Sequence, residues 1–154
     1  MTLNRGLLTS NSDEWTTPRW LFDKLDAIFH FDLDAAATAQ NALCTHFFDK
    51  ESNGLLQSWG GYRAIFCNPP YSQIKLWAQH IATQSVHAGI IVALIPARPD
   101  TAWWCDHIAT ADIIRFVRGR LRFGDAKSSA PFPSAVAVWL GLEKALRRPR
   151  GGVS

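Results

Sequence analysis

Apolar positions along the chain repeat first at helical spacing and then in short strand-like runs. Leu21, Leu25 and Ile28 lie one helical turn apart, and the Thr-Pro pair at 17–18 is typical of a helix start. We therefore predict a helix that ends near residue 29. A short strand over 31–35 follows, and it leads into a stretch of small alanine residues.

The central part of the chain alternates strand-like and helix-like patterns. The apolar run 64–67 stops at two prolines, and the run 90–95 carries apolar residues at successive positions, as expected of a strand buried on both faces. Between them, Ile74, Trp77 and Ile81 have helical spacing. This order predicts parallel strands joined by a helix. Further β-rich runs are a weak one at 44–48 and later ones at 113–117, 121–123 and 135–140.

The three late runs have no helix-length segment between them, which favours an antiparallel C-terminal end to a mostly parallel sheet. We predict an α/β protein with a doubly wound sheet. A length of 154 residues suits a single domain. The predicted boundaries are a flexible N-terminus at 1–12, the folded domain at 13–142 and a basic tail at 143–154.

Composition excludes several classes of protein. With 47% hydrophobic and 19% charged residues, the chain is typical of a globular protein rather than a disordered one. It has neither an apolar run of membrane-spanning length nor a signal-peptide pattern at its start, so we expect a cytoplasmic protein without a membrane partner. The three cysteines lack C-x-x-C spacing and the histidines are scattered, so we predict no metal site.

The net charge of +3 is distributed unevenly. Residues 115–154 contain nine Lys or Arg and two Asp or Glu, whereas residues 1–114 contain seven and eleven. Arg118, Arg120 and Arg122 alternate, so an extended chain would place them on one face. With Lys127 and the isolated Arg98, they suit contacts with DNA phosphates. The alternatives are a solvated basic tail, an edge strand protected by its charge or, for Arg98, a salt bridge.

One short motif follows the predicted strand at 64–67 directly: Asn68, Pro69, Pro70 and Tyr71. Ligands of parallel α/β sheets bind at the carboxyl ends of the strands, so the motif has an active-site position. A flat amino group such as that of adenine is a poor nucleophile, because its lone pair is delocalised into the ring. Asn68 Oδ1 and the Pro69 carbonyl can each accept one of its hydrogens, and Tyr71 can stack on an extruded base. The alternative is a strand-ending turn.

With these residues in place, the sequence resembles the phage-type DNA N6-adenine methyltransferase (Dam-like) family, whose members depend on S-adenosylmethionine. The resemblance covers about residues 12–140. It is carried by the 13–18 stretch Asp-Glu-Trp-Thr-Thr-Pro, the 31–36 stretch Phe-Asp-Leu-Asp-Ala-Ala, the tetrapeptide at 68–71, the residues Ala97, Arg98 and Thr101, and the 119–123 stretch Gly-Arg-Leu-Arg-Phe before 131–135.

The resemblance implies a Rossmann-like methyltransferase fold over 13–142. It also implies methylation of adenine N6 in DNA by direct methyl transfer, with the base flipped into a pocket formed by the tetrapeptide. S-adenosylmethionine is the implied cofactor, and the residues expected to bind it are Trp15, Thr16, Thr17, Pro18, Asp34, Ala35, Ala36 and Asp49. Of these, the residues expected to hold the methionine end of the cofactor are Thr16, Thr17 and Pro18. The alanines depart from the glycine-rich turn found in many methyltransferases.

Some of these roles have structural alternatives. Thr17 and Pro18 are equally well explained as a helix start. Asp49 is expected either to contact the ribose of the cofactor or to be a solvated loop acid. Asn53 is expected either to contact the adenine of the cofactor or to be a turn residue beside Gly54.

The tetrapeptide leaves other functions open. It also occurs in families that methylate guanine in RNA or glutamine in proteins, and an inactive DNA-binding relative is a third possibility. For the enzyme itself we expect a monomer that binds DNA, located in the host cytoplasm if phage-encoded.

Overall fold

A five-stranded sheet of order β1-β2-β3-β5-β4 forms the centre of the protein. The computed structural model describes residues 15–142 and 144. The strands are β1 (Leu33–Asp34), β2 (Ala64–Cys67), β3 (Ile90–Pro96), β4 (Ile113–Phe116) and β5 (Ser134–Trp139). The predicted flexible segment 1–12 lies outside the described residues, as does the predicted basic tail 143–154 apart from Lys144.

Four of the five strands run in one direction. β2 pairs in parallel with β1 and β3, whereas β5 is antiparallel to both of its neighbours, β3 and β4. β4 therefore points the same way as the first three strands. The predicted α/β class and the mostly parallel sheet with an antiparallel C-terminal part are confirmed.

In the described part of the chain, the α-helices are α1 (Arg19–Phe29), α2 (Ile74–Gln84) and α3 (Ala102–Asp106). α1 follows Pro18 directly, because the fixed φ and missing N–H of proline suit a helix start. The carbonyl of Pro18 accepts bonds from the N–H groups of Leu21 and Phe22 at 3.1 and 3.2 Å. The helix ends at His30, which has a φ of +54° and donates its N–H to Asp26. This confirms the predicted helix.

The sheet is buried on both faces by two separate apolar clusters. Alternate residues of β3 explain this: Ile91, Ala93 and Ile95 pack with α2 and α3, while Val92 and Leu94 pack with α1. The second cluster also contains the apolar side chains of the 121–132 segment. Each fully buried aliphatic side chain contributes about 1.5–3 kcal/mol to folding, which makes these clusters the main source of stability.

Two of the predicted strands differ in the structure. The 44–48 run makes only a single parallel bridge, between Asp34 and Phe47. The 121–123 run, predicted as a strand, is irregular and pairs with no strand of the sheet, because its apolar side chains pack into the cluster that covers one face. The segment instead lies against one face of the sheet, where Leu121 and Phe123 are buried.

No helix among residues 15–142 and 144 has the length and apolar character needed to cross a bilayer. The same residues contain no group of three or more His, Cys, Asp or Glu side chains that could hold a metal ion.

The connection from α2 to β3 has no room for a side chain at Gly89. A Cβ placed there would lie 2.1 Å from the carbonyl oxygen of Arg63. We expect Gly89→Ala to lower the free energy of unfolding by about 2–3 kcal/mol, since backbone must move to accept the methyl group. Chemical denaturation of the wild type and the variant measures this difference in the free energy of unfolding.

Gly60→Ala is the matched control. A Cβ at Gly60 would lie 3.4 Å from Ser58 Oγ, which is ordinary contact, and the backbone there has no positive φ. Equal stability losses in the two variants would contradict the packing argument.

Candidate active site

A cavity of about 470 Å³ opens at the carboxyl ends of β1 and β2. Asp34 is the last residue of β1, and Asn68 follows the last residue of β2. Because the two strands pair in parallel, with Asp34 beside Phe66, their ends meet at the same edge of the sheet. The side chains of Asp34 and Asn68 both line this cavity.

The tetrapeptide forms the turn that ends β2. Pro69 and Pro70 cannot donate to a strand ladder, and a 3₁₀ turn over Tyr71–Gln73 then leads into α2. Asn68 and Pro70 line the cavity. Pro69 is buried, and Tyr71 lies in a cluster of aromatic rings on the other face of the sheet from α2.

The side-chain amide of Asn68 is held in one orientation. Its Nδ2 donates to the carbonyl oxygen of Trp15, and to Oγ1 of Thr17 at 3.0 Å. Both amide hydrogens are therefore used within the protein. Oδ1 points away from these partners, is covered from solvent and has no hydrogen-bond partner among the described residues.

The carboxyl group of Asp34 is buried with an incomplete set of partners. Oδ2 accepts from the N–H of Leu43 at 3.2 Å, and Oδ1 has no partner among the described residues. Burial raises the pKa of Asp34 from 3.8 to about 6, against the lowering effect of the N–H groups of Leu43 and Ala36. A cationic ligand group beside Asp34 would stabilise the ionised form of its carboxyl group.

A third residue that lines the cavity, Trp77 on α2, has an indole N–H that is buried and also without a partner among the described residues. Of the four unpartnered buried side-chain atoms in the described chain, three belong to residues that line this cavity: Asp34 Oδ1, Asn68 Oδ1 and Trp77 Nε1. Buried polar groups in folded proteins are otherwise paired. Within the described chain, two buried acceptors and one buried donor without partners therefore belong to residues that border the cavity.

The 49–54 loop closes another side of the cavity. Ser52 donates its N–H and its hydroxyl to Asp49 Oδ1 at 2.9 and 3.0 Å, and these bonds lower the pKa of Asp49. Asn53 accepts the N–H of Leu55 at 3.1 Å, which is the turn role considered for it, and it lines the cavity as well. At Gly54, a Cβ would lie 2.4 Å from the carbonyl of Ala35.

Trp15, Tyr71, Phe123 and Phe132 form an aromatic cluster beside the tetrapeptide. The ring of Trp15 stacks on that of Tyr71 at 6.4 Å and 21°, and contacts Phe132 edge-on at 5.1 Å. The Tyr71 hydroxyl donates to the carbonyl of Leu94 at 3.4 Å, and burial raises the pKa of its phenol well above the usual value. Tyr71 is thus a neutral wall residue with one face occupied by Trp15.

The five predicted DNA-contacting residues do not line the cavity, but two of them follow strands that end at the same edge of the sheet. Arg98 follows the carboxyl end of β3, and Arg118 follows that of β4. The other three are Arg120, Arg122 and Lys127, in the segment between β4 and β5. All five are exposed, and none forms an ion pair within residues 15–142 and 144.

Only part of the predicted extended face is present. Arg120 and Arg122 are exposed while Leu121 and Phe123 are buried, so the two arginines share a side. Arg118 precedes Gly119, whose φ is +71°, and it does not continue the alternation.

The segment between β4 and β5, which carries four of these cations, is bonded to a residue that lines the cavity. Gly124 donates its N–H to the carbonyl of Thr16 at 2.8 Å. Trp15, Thr16 and Thr17, which precede α1, all line the cavity. This segment therefore links the cationic surface to the site.

The structure brings most of the predicted cofactor residues together. Trp15, Thr16, Thr17, Asp34, Ala36 and Asp49 line the cavity; Pro18 and Ala35 are buried next to residues that do. Sequence reasoning missed Gly54 and Trp77. The helical spacing of Trp77 indicated a core residue. Its indole N–H is the signal that could have identified it as a cavity residue, because this group needs a hydrogen-bond partner once it is buried.

The sheet and cavity define an α/β protein with a cavity at the carboxyl ends of its parallel strands. A family model described as DNA N-6-adenine-methyltransferase (Dam) matches residues 5–154. The chain therefore belongs to this family, which confirms the resemblance found in the sequence.

Two phage proteins called DNA N-6-adenine-methyltransferase are similar to the chain. One, from Escherichia phage T1, is 36% identical over 95 residues, which are 61% of this chain and 40% of that protein. The other, from Haemophilus phage HP1 (strain HP1c1), is 32% identical over 118 residues, which are 74% of this chain and 68% of that protein. The first match thus spans less than half of the phage T1 protein.

The pKa of Asp34 leads to a prediction about stability. Between pH 4 and pH 6 the folded protein holds a proton that the unfolded chain releases, so stability falls as pH rises through this range. Above pH 6 the buried carboxylate costs up to about 3 kcal/mol, by the relation of about 1.4 kcal/mol per pKa unit. We expect Asp34→Asn to raise the free energy of unfolding at pH 7.5 and to change it little at pH 4.

Denaturant unfolding of both proteins at the two pH values measures this difference. A change of the same size at pH 4 and pH 7.5 would show that ionisation of Asp34 is not its cause.

Proposed function

We propose that this protein transfers a methyl group from S-adenosylmethionine to N6 of adenine in DNA. The observation that carries the proposal is the buried, unpartnered Oδ1 of Asn68 at the edge of a ligand cavity. A buried oxygen with no partner is costly unless a ligand supplies the hydrogen. The family membership and the named phage relatives support the same activity.

The cavity fits the proposed cofactor in size and polarity. About 470 Å³ lies within the range of small-molecule sites. Asp34 Oδ1 accepts from the cationic amine of the methionine part, and a nearby positive charge favours the ionised carboxylate. In this proposal Trp77 Nε1 donates to one of the cofactor's oxygens or ring nitrogens, and Asp49, which lines the cavity, contacts the ribose. We accordingly interpret the sheet as a Rossmann-like methyltransferase fold.

Catalysis in this proposal is positioning together with polarisation of the amine. S-adenosylmethionine, when bound, would supply an activated methyl group for direct displacement: N6 would bond to the methyl carbon as the carbon–sulfur bond breaks, S-adenosylhomocysteine would leave, and N6 would release one proton. Asn68 Oδ1 and the Pro69 carbonyl accept the two hydrogens of the adenine amino group, which moves its nitrogen toward tetrahedral geometry. Because prolines fix the backbone at 69–70, these acceptors need little reorganisation in the transition state.

The target base has to leave the duplex to reach Asn68. The stacked pair of Trp15 and Tyr71 is the aromatic wall against which we place it. Since Oδ1 of Asn68 is covered from solvent, base entry requires a local movement of the surrounding side chains. Extrusion costs a few kcal/mol, which aromatic contacts partly offset.

The cationic residues Arg98, Arg118, Arg120, Arg122 and Lys127 contact the DNA backbone in this proposal. Arg98 and Arg118 follow strands that end at the sheet edge carrying the cavity, and the other three lie in the segment that bonds to Thr16. None of the five forms an ion pair among the described residues. A backbone held there places the extruded base close to the aromatic wall.

The direct test is methyl transfer from labelled S-adenosylmethionine to unmethylated DNA, to structured RNA and to a protein mixture, with the product identified by mass spectrometry. N6-methyladenine in DNA is the expected product. Methylguanine in RNA or methylglutamine in protein would identify the other substrate classes that share the tetrapeptide. DNA binding without cofactor binding would indicate an inactive relative.

Asn68→Ala tests the catalytic acceptor. We expect kcat to fall by about 10²–10³-fold, because one preorganised hydrogen bond to the reacting group is lost. The affinity for S-adenosylmethionine, measured by calorimetry, should change little. Turnover equal to that of the wild type would reject the role given to Asn68.

The double variant Arg120→Gln/Arg122→Gln tests the DNA surface. Each lost phosphate contact should reduce the slope of log K against log salt concentration by about 0.9. We expect a reduction of about 1–2 for the pair, measured by fluorescence anisotropy with a labelled duplex. Arg63→Gln is the control, since Arg63 is an exposed cation before the start of β2, at the opposite edge of the sheet. Equal effects of the two changes would contradict the assignment.

A further inference from the structure

The Asn68 amide is held by the chain segment that precedes α1. Nδ2 donates one hydrogen to the carbonyl of Trp15 and the other to Oγ1 of Thr17. Thr17 is 8% exposed, and its hydroxyl faces the catalytic amide at 3.0 Å although the residue also borders the cavity. The sequence had suggested that Thr17 binds the cofactor.

We propose that Thr17 is a positioning residue: its hydroxyl, with the Trp15 carbonyl, holds Asn68 so that Oδ1 faces the amino group to be methylated. This inference rests on the proposed function. It assigns the Thr17 hydroxyl to the amide that grips the substrate and not to the cofactor.

The physical reason is that an asparagine side chain has nearly the same shape when its amide is turned over. A turned amide would present its NH₂ group to the substrate amine, and two donors facing each other do not bind. The carbonyl of Trp15 can only accept, so it excludes the turned state. Thr17 anchors the second hydrogen and restricts rotation of the amide.

The two bonds also affect the strength of the acceptor. An amide whose hydrogens both donate is polarised, and its oxygen becomes a better acceptor. The same bonds that orient Oδ1 therefore strengthen its hold on the substrate amine.

The segment carrying Thr17 is itself fixed at both ends. The carbonyl of Pro18 accepts from the first turn of α1, and the carbonyl of Thr16 accepts from Gly124 at 2.8 Å. A hydroxyl on this segment has a defined position relative to Asn68, which a positioning role requires.

Thr17→Val and Thr17→Ser separate this role from the alternatives. Valine keeps the shape of threonine but removes the hydroxyl, and serine keeps the hydroxyl. We expect Thr17→Val to lower kcat about 10- to 100-fold with little change in KM for DNA, since misplacement of a catalytic group acts on the chemical step. Its calorimetric affinity for S-adenosylmethionine should be close to that of the wild type. Thr17→Ser should restore most of kcat, and thermal unfolding confirms that each variant is folded.

A readout that needs no turnover is the side-chain amide signal of Asn68 in ¹⁵N-labelled protein. This signal is assigned by its loss in Asn68→Ala. We expect one of its two proton resonances to move upfield in Thr17→Val, as a hydrogen bond is lost, and to return in Thr17→Ser.

The outcomes are distinct. Wild-type kcat in Thr17→Val, or an unchanged Asn68 signal, overturns the proposal. Loss of affinity for S-adenosylmethionine in Thr17→Val, with an unchanged Asn68 signal, also overturns the proposal. That result would assign the Thr17 hydroxyl to cofactor binding. If the wild type methylates no DNA adenine, the proposed function fails, whereas the amide signal still decides whether Thr17 holds Asn68.

Discussion

The parallel pairing of β1 with β2 is the constraint on which the site depends. It brings the end of β1 and the turn after β2 to one edge of the sheet, so that a buried carboxyl and a buried amide border the same cavity. Neighbouring elements then fix each group. Asp34 is bonded by the loop that follows β1, and Asn68 by the segment before α1. Neither arrangement is local in sequence.

This site lowers the stability of the protein. Leaving a polar atom buried and unpaired costs about 1–3 kcal/mol, and three such atoms belong to residues that line the cavity. The two apolar clusters on the faces of the sheet offset that cost. A bound ligand that pairs with these atoms would recover part of it, so ligand binding and stability are coupled.

The segment between β4 and β5 joins the two halves of the proposed function. Its apolar side chains Phe123 and Phe132 pack on Trp15 and Tyr71, while its arginines face solvent. One stretch of chain therefore supports the aromatic wall and carries four of the five cations. Its alternating pattern suggested a strand, but it pairs with no strand of the sheet, and its two phenylalanines are buried against one face instead.

The sequence by itself determined the elements whose signals are local. Pro18 begins α1, the two prolines after Cys67 end β2, and the run of apolar residues at 90–95 is the central strand, because ring geometry and side-chain periodicity act over a few residues. The tetrapeptide was visible for the same reason. Only the tertiary structure decided that Thr17 bonds Asn68, that the N–H of Trp77 is buried without a partner in the described chain, and that Gly54 packs too closely on the carbonyl of Ala35 to allow a side chain. Those facts depend on distances between residues far apart in the chain, which are set by strand pairing and packing and leave no periodic signal in the sequence.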